Sequence, residues 1–223
     1  KLSRVPKSLQ ALIEKNVWAP MEKMNYFVGK GIDLYLTGIE QAQLNRLHLF
    51  EKYGQHAKIV RFSYSRNAHV DAARVGLKAA QLCNLFDWVQ HAESFDEKPV
   101  FLRDVVEDTN EIQLAGIEGE ISAANVISSH RIIKQVRYTT ATQQVQQVLV
   151  VDHDGKITHA DSYDSRGFMS RRSLMSKSGK HYADEYFTPT GEQVMRLDFN
   201  GDSKFGFKQI VMNDGTVYHR SLD

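Results

Sequence analysis

Two hydrophobic periodicities divide the chain. Up to about residue 90, apolar residues come in compact runs or at helical spacing: Tyr26-Phe27-Val28, then Ile39, Ala42, Leu47 and Phe50, then the run Ala57–Phe62. From about residue 130 they fall in short segments rich in aromatic and β-branched residues, such as Gln147–Val151, Gln193–Phe199 and Phe207–Met212. Glycines punctuate these segments. Gly155, Gly167, Gly179 and Gly191 stand twelve residues apart, Gly201 and Gly215 follow, and each comes after a turn-forming residue, as in Asp154-Gly155 and Asn200-Gly201. Glycine supplies the positive φ that a tight reversal needs, and Asn-Gly and Asp-Gly are strong hairpin signals. One strand plus one reversal per twelve residues predicts an antiparallel meander from about residue 130 to the end.

The first ninety residues predict something else. Thr37 with Glu40 three places on forms a capping box, in which each side chain satisfies an orphan backbone N–H at a helix start. Gly54 is placed to end that helix as its C′ residue, and Ala57–Phe62 reads as the strand that follows. Strand, glycine-bearing loop, helix and strand make a βαβ crossover, which implies a parallel sheet. Asn67–Leu77 has helical character, and Asn84 caps a further helix start with Asp87 at its third position. Pro99 and the acidic residues Asp104, Glu107, Asp108 and Glu111 mark the passage into the meander.

Composition narrows the class. Apolar content of 42% and charged content of 25% are those of a globular protein. A net charge of +1 leaves no basic footprint for duplex nucleic acid as a main partner. The single Cys83 excludes an intramolecular disulfide and a multi-cysteine zinc site. No run reaches the roughly 20 apolar residues of a membrane span, so a reducing, cytosolic setting fits. Residues 1–23 carry Lys1, Arg4, Lys7, Lys15 and Lys23 among Leu9, Leu12, Ile13 and Trp18. They read as an N-terminal extension with a short surface helix, or as a basic amphipathic segment at the inner face of a membrane.

Candidate chemistry is sparse. Gly38 stands at a helix N-terminus, where exposed N–H groups and the helix dipole attract phosphate; it also suits tight strand–helix packing. Arg171, Arg172, Lys177 and Lys180, with Arg196, Lys204 and Lys208 further on, would hold an anionic polymer if they share a face, or would protect open strand edges. His153, His159, His181 and His219 show no ligand spacing, and Asp198–Asp202 lacks the distal glutamate of a calcium loop, so neither metal nor cofactor is expected. GxSxG, Cys/His and Walker motifs are lacking.

The run Tyr35-Leu-Thr37-Gly38-Ile39-Glu40-Gln-Ala-Gln43, with Arg46 and Phe50, then Ala57-Lys-Ile-Val and Asn84-Leu-Phe-Asp-Trp88, resembles the N-terminal region of a group of Gram-positive GT-B glycosyltransferases. The group includes poly(glycerol-phosphate) α-glucosyltransferases of wall teichoic acid and accessory-secretion glycosyltransferases of serine-rich adhesins. Its Rossmann-like half is interrupted early by a β-meander, to which Asp161–Arg171, Tyr182, Tyr186 and the regular glycines are similar. The resemblance implies an α+β chain, a partial Rossmann-like α/β unit followed by an antiparallel β-meander, with boundaries at 1–23, 24–98 and 99–223. It implies transfer, with retention, of a hexose or N-acetylhexosamine from a UDP-sugar donor to a teichoic-acid polymer or a Ser/Thr-rich protein. Thr37, Gly38, Ile39 and Glu40 would lie near the donor diphosphate, and Arg171 and Arg172 on the acceptor side. The meander would also bring subunits together as a homo- or hetero-oligomer. In the family a second Rossmann domain binds the donor and carries the catalytic groups, so no catalytic residue is assigned here. A non-catalytic assembly module that joins a complete enzyme is the rival reading. A surface β-repeat protein, suggested by Ser162-Tyr163-Asp164, is opposed by the leading βαβ unit.

Overall fold

A computed structural model describes residues 24–30, 36–199 and 207–219. The extension 1–23, Tyr35, Lys204 and the Asn200-Gly201 turn lie outside the described residues. The chain divides into two compact units between Asp87 and Trp88, the second running to Val217.

In the first unit β1 (Asn25–Gly29), β2 (Ala57–Arg61) and β3 (Leu82–Asn84) form a parallel sheet in that order, Phe27 facing Ile59 and Ile59 facing Leu82. Helix α1 (Gly38–Lys52) follows β1 and begins on the expected capping box, with Glu40 N–H donating to Thr37 Oγ1 and Thr37 N–H to Glu40 Oε2. It ends at Tyr53, after which Gly54 takes φ +66°. Leu44 and Leu47, one turn apart, bury against Ile59, Ala72 and Leu77. Phe50 meets Phe27 edge to face with ring centroids 5.5 Å apart. At Gly29 a Cβ would sit 2.9 Å from Oε1 of Gln43, the end of a flexible α1 side chain whose amide donates to Val28 C=O. α2 (Ala68–Arg74) lies in the crossover from β2 to β3, α3 (Leu85–Val89) follows β3, and Asn84 Oδ1 accepts from Phe86 N–H at the start of α3.

The second unit is dominated by a ten-stranded antiparallel sheet in sequential order. Its strands are β4 (Glu111–Glu118), β5 (Ile121–Ser128), β6 (Arg131–Thr139), β7 (Val145–Val151), β8 (Ile157–Tyr163), β9 (Met169–Met175), β10 (His181–Phe187), β11 (Gln193–Phe199), β12 (Phe207–Met212) and β13 (Val217–His219). The meander therefore opens at Glu111, two strands before the expected residue 130. The turn between β5 and β6 uses Ser129 and His130 at φ 50° and 62° and lies outside the glycine period. At the regular turns only the glycine takes a positive φ. The reversal is an i→i+3 turn begun by Asp152, Asp164, Ser176 or Thr188, whose carbonyl accepts the glycine N–H and whose side chain accepts a further N–H from the turn. These loops are longer than a two-residue hairpin, and strand registers shift beside them.

One face of β5 to β7 forms the core: Ala124, Val126, Val136, Tyr138, Val145 and Val148 pack with Leu102. Residues 90–98 belong to this unit by their bonds. Gln90 donates to the carbonyls of Ser170 and Phe187 at 2.6 and 2.8 Å, and Arg166 Nη1 donates to Ala92 C=O at 2.7 Å. No helix among the described residues is long and apolar enough to cross a membrane.

Candidate functional site

In an open parallel sheet the strands' carboxyl ends carry the backbone N–H and C=O groups nearest the following loops, and ligands bind in the crevice outside them. β1 reaches that end at Gly29, β2 at Arg61 and β3 at Asn84. Lys30 and Ser63 are tied there by the Ser63 N–H to Lys30 C=O bond of 3.1 Å. The N-terminus of α1 opens after the β1 loop. Thr37, Gly38 and Ile39 are exposed, Ile39 by 75%, and among the described residues no atom lies within 4 Å of a Cβ placed on Gly38. Of the two readings open for Gly38, tight strand–helix packing finds no close neighbour among the described residues. Of the first-turn N–H groups of α1, that of Glu40 is taken by Thr37 Oγ1, and Gly38 and Ile39 stand at the exposed, positive end of the helix dipole.

The buried polar side chains of the first unit are Arg61, Asn84 and Asp87. Each stands at or just beyond the carboxyl end of β2 or β3. Asp87 holds His69 Nε2 at 2.5 Å, with His69 a quarter exposed on α2. Burying such groups is costly unless they are bonded, and their concentration here marks the polar end of the sheet. Asp87 was legible from sequence only as a helix-start residue. Arg61 and His69 carried one faint signal, a basic residue closing an apolar strand and a histidine in the next helix.

Arg171 and Arg172 are neighbours on β9 and so project to opposite faces. Arg172 forks onto Asp161 of β8 through Nε at 2.7 Å and Nη2 at 3.0 Å, and stacks over Phe187. Arg171 faces buried Asp184 at 3.7 Å. Arg196 bridges Glu185 and Asp198, and Gln209 donates to Asp198. Asp161, Arg172, Glu185 and Arg196 thus form a ladder of alternating charge across four strands. Arg172 and Arg196 share the ladder's face, Arg171 lies on the other, and all three are paired with carboxylates. Lys177 and Lys180 stand exposed at a turn.

Burial and neighbouring charges shift several groups on these strands. Burial lowers the pKa of His159, partly opposed by Asp161, and burial with Asp161 raises that of Tyr163. Burial pushes the Asp184 carboxyl up, but His181, Arg171 and Ser173 together outweigh it and leave it below its ordinary value. Asp152, His153 and Asp154 bring ligand atoms within 4.8 Å of one another at an exposed turn. Asp152 Oδ1 there accepts the N–H groups of Asp154 and Lys156, both at 2.9 Å, which is a turn-closing role.

A three-stranded parallel α/β unit followed by a sequential antiparallel sheet is a combination that several solved structures share. Residues 115–209 match the GtfB middle domain. Over 88% of the chain the structure is similar to the pneumococcal O-GlcNAc transferase GtfA, solved with UDP and GlcNAc, at TM-score 0.68 and 16% identity. It is similar over 86% to a structure of accessory secretory proteins 1, 2 and 3 of Streptococcus pneumoniae, at 0.65 and 17%. It is similar over 89% to a single-substitution mutant of S. aureus TarM, solved with fondaparinux, α-GlcNAc-glycerol and UDP, at 0.60 and 13%. At these identities the likeness is one of fold. The chain spans 38%, 39% and 41% of the length of those three. No curated protein matches.

Proposed function

We infer that this chain is the N-terminal part of a retaining glycosyltransferase, serving acceptor binding and assembly. The complete enzyme would move a hexose or N-acetylhexosamine from a UDP-sugar to a cell-wall polymer of teichoic-acid type or to a serine-rich protein. One observation carries the reading: the α1 N-terminus stands open, with an exposed glycine, at the carboxyl end of a parallel sheet. The amides of Gly38, Ile39 and Glu40 would approach the donor diphosphate, and Thr37 would fix the helix start that aims them. A donor-binding half, absent from these residues, would supply the groups that stabilise the leaving diphosphate. Work would take place in the cytoplasm, at or near the inner face of the membrane.

Arg171 and Arg172, assigned above to the acceptor side, are engaged by Asp184 and Asp161. In this reading an acceptor meets the sheet through the polar ladder as a whole rather than through free arginines. The test is amide chemical-shift perturbation on the isolated chain. UDP-N-acetylglucosamine or UDP-glucose at millimolar concentration should shift Gly38, Ile39 and Glu40. If those amides stay still while the chain is folded, the donor-site reading fails, and the rival view of a non-catalytic assembly module takes its place.

A further inference from the structure

The antiparallel sheet ends on β4, and all eight of its residues are exposed. Its register sets Ile112, Leu114 and Ile117 opposite Val126, Ala124 and Ser122, the buried row of β5. A one-residue bulge between Leu114 and Gly116 keeps Ile117 on that face. Directly opposed residues share a face, so the core side of the sheet runs on to its edge. There Ile112, Leu114 and Ile117 stand 47%, 59% and 62% exposed. The other face of β4 carries Glu111, Gln113 and Glu118, opposite Ile127, Asn125 and Ile121. Residues 104–130 hold Asp104, Glu107, Asp108, Glu111, Glu118 and Glu120 and no Lys or Arg.

We propose that β4 receives an edge strand from a different polypeptide, one that is apolar on the core-side face and bears lysine or arginine on the other. This rests on the assembly half of the reading above and names the chemistry of its partner. An open edge offers a row of backbone donors and acceptors, and an added strand gains affinity from them and specificity from alternate side chains. The three exposed apolar residues require a cover that continues the core. A second copy of this chain is the wrong occupant. The two-fold antiparallel register that sets Ile112 opposite Ile117 sets Glu111 opposite Glu118 twice, and like charges directly opposite destabilise a sheet. A basic strand turns both contacts into attractions.

The chain itself supplies the probe. The E111K/E118K variant presents the same apolar face with lysines on the other. By size exclusion with light scattering, wild type alone and variant alone are expected to be monomers, and an equimolar mixture a one-to-one complex. That complex should weaken by about tenfold or more when salt rises from about 0.1 M to about 0.5 M. It should vanish when the wild-type member carries Leu114→Asp. A wild-type dimer abolished by Leu114→Asp, or a mixture that stays monomeric, would overturn the proposal. If circular dichroism shows the double variant unfolded, E118K alone carries the test. The same register sets Glu111 opposite the introduced lysine twice, so this variant should form a salt-sensitive dimer that Leu114→Asp abolishes, and an E118K monomer would overturn the proposal. The UDP-sugar shifts at Gly38–Glu40, read on the wild type, report separately on the donor-site reading.

Discussion

Gly167 lies directly against the backbone of Lys98. A Cβ on Gly167 would overlap the Lys98 carbonyl and come within 2.9 Å of Pro99 Cα, and the residue takes φ +112°. Beside it Lys98 N–H donates to Arg166 C=O at 2.7 Å, while Arg166 holds Asp164 and Ala92 C=O. The glycine that ends the turn between β8 and β9 is thus also the seat on which residues 92–99 rest. Phe95 packs edge to face on Phe168 at 5.1 Å to complete the dock.

Gly167→Ala should therefore cost far more than alanine at its periodic counterparts Gly155, Gly179 and Gly191, where no atom lies near the added Cβ. Backbone strain and overlap together predict a loss on the order of 3 kcal/mol. Urea unfolding should show a large fall in midpoint for this variant. Equal losses at all four positions would mean that φ alone matters.

Gly38→Ala should separate folding from ligand approach. The added methyl meets open space and no positive φ, and alanine favours helix over glycine by up to about 1 kcal/mol. Thermal stability should hold or rise slightly, while the UDP-sugar perturbation at residues 37–40 should weaken several-fold. Unchanged perturbation would show that the backbone at 38 does not approach the ligand.

Arg172 and Asp161 should be coupled. Their bidentate pair is partly solvent-exposed, 33% and 14% by side chain, so screening limits its strength. A double-mutant cycle with Arg172→Ala and Asp161→Ala should return a coupling of about 1 kcal/mol. Arg172→Lys should recover only part of it, because lysine cannot fork onto the carboxylate. A coupling near zero would remove the ladder from the stability of the sheet.

Acid should weaken the sheet in two windows. His159 is held below its ordinary 6.5, so just under pH 6.5 the unfolded chain binds its proton before the folded chain does. Its contribution is present above that pH and lost as pH falls towards the folded value. Asp184 is held below its ordinary 3.8, so its contribution is present above about pH 4 and lost as pH falls through the lower folded value. His159→Gln should flatten the stability profile in the upper window, and Asp184→Asn in the lower one. A variant that leaves the slope of its own window unchanged would contradict the assignment, read from urea midpoints between pH 3 and pH 8.

Local chemistry was enough for much of this protein. Thr37 and Glu40 cap a helix because both partners lie within four residues, and Gly54 ends it for the same reason. The glycines at 155, 167, 179, 191 and 215 turn the chain because only they take the positive φ without cost. Such local signals suffice for the α/β unit and for the β-meander from β6 onwards. Tertiary structure decided what depends on residues far apart in the chain. Arg171 and Arg172 lie side by side in sequence, yet the pleat sends them to opposite faces and distant carboxylates hold them. The opening of the meander escaped the glycine period because Ser129 and His130, not a glycine, make the turn between β5 and β6, while Gly119 at φ +59° turns β4 into β5 outside the twelve-residue spacing. The apolar stripe of Ile112, Leu114 and Ile117 is a surface only because the register, bulge included, lines it up with the buried row of β5. No local pattern encodes that alignment.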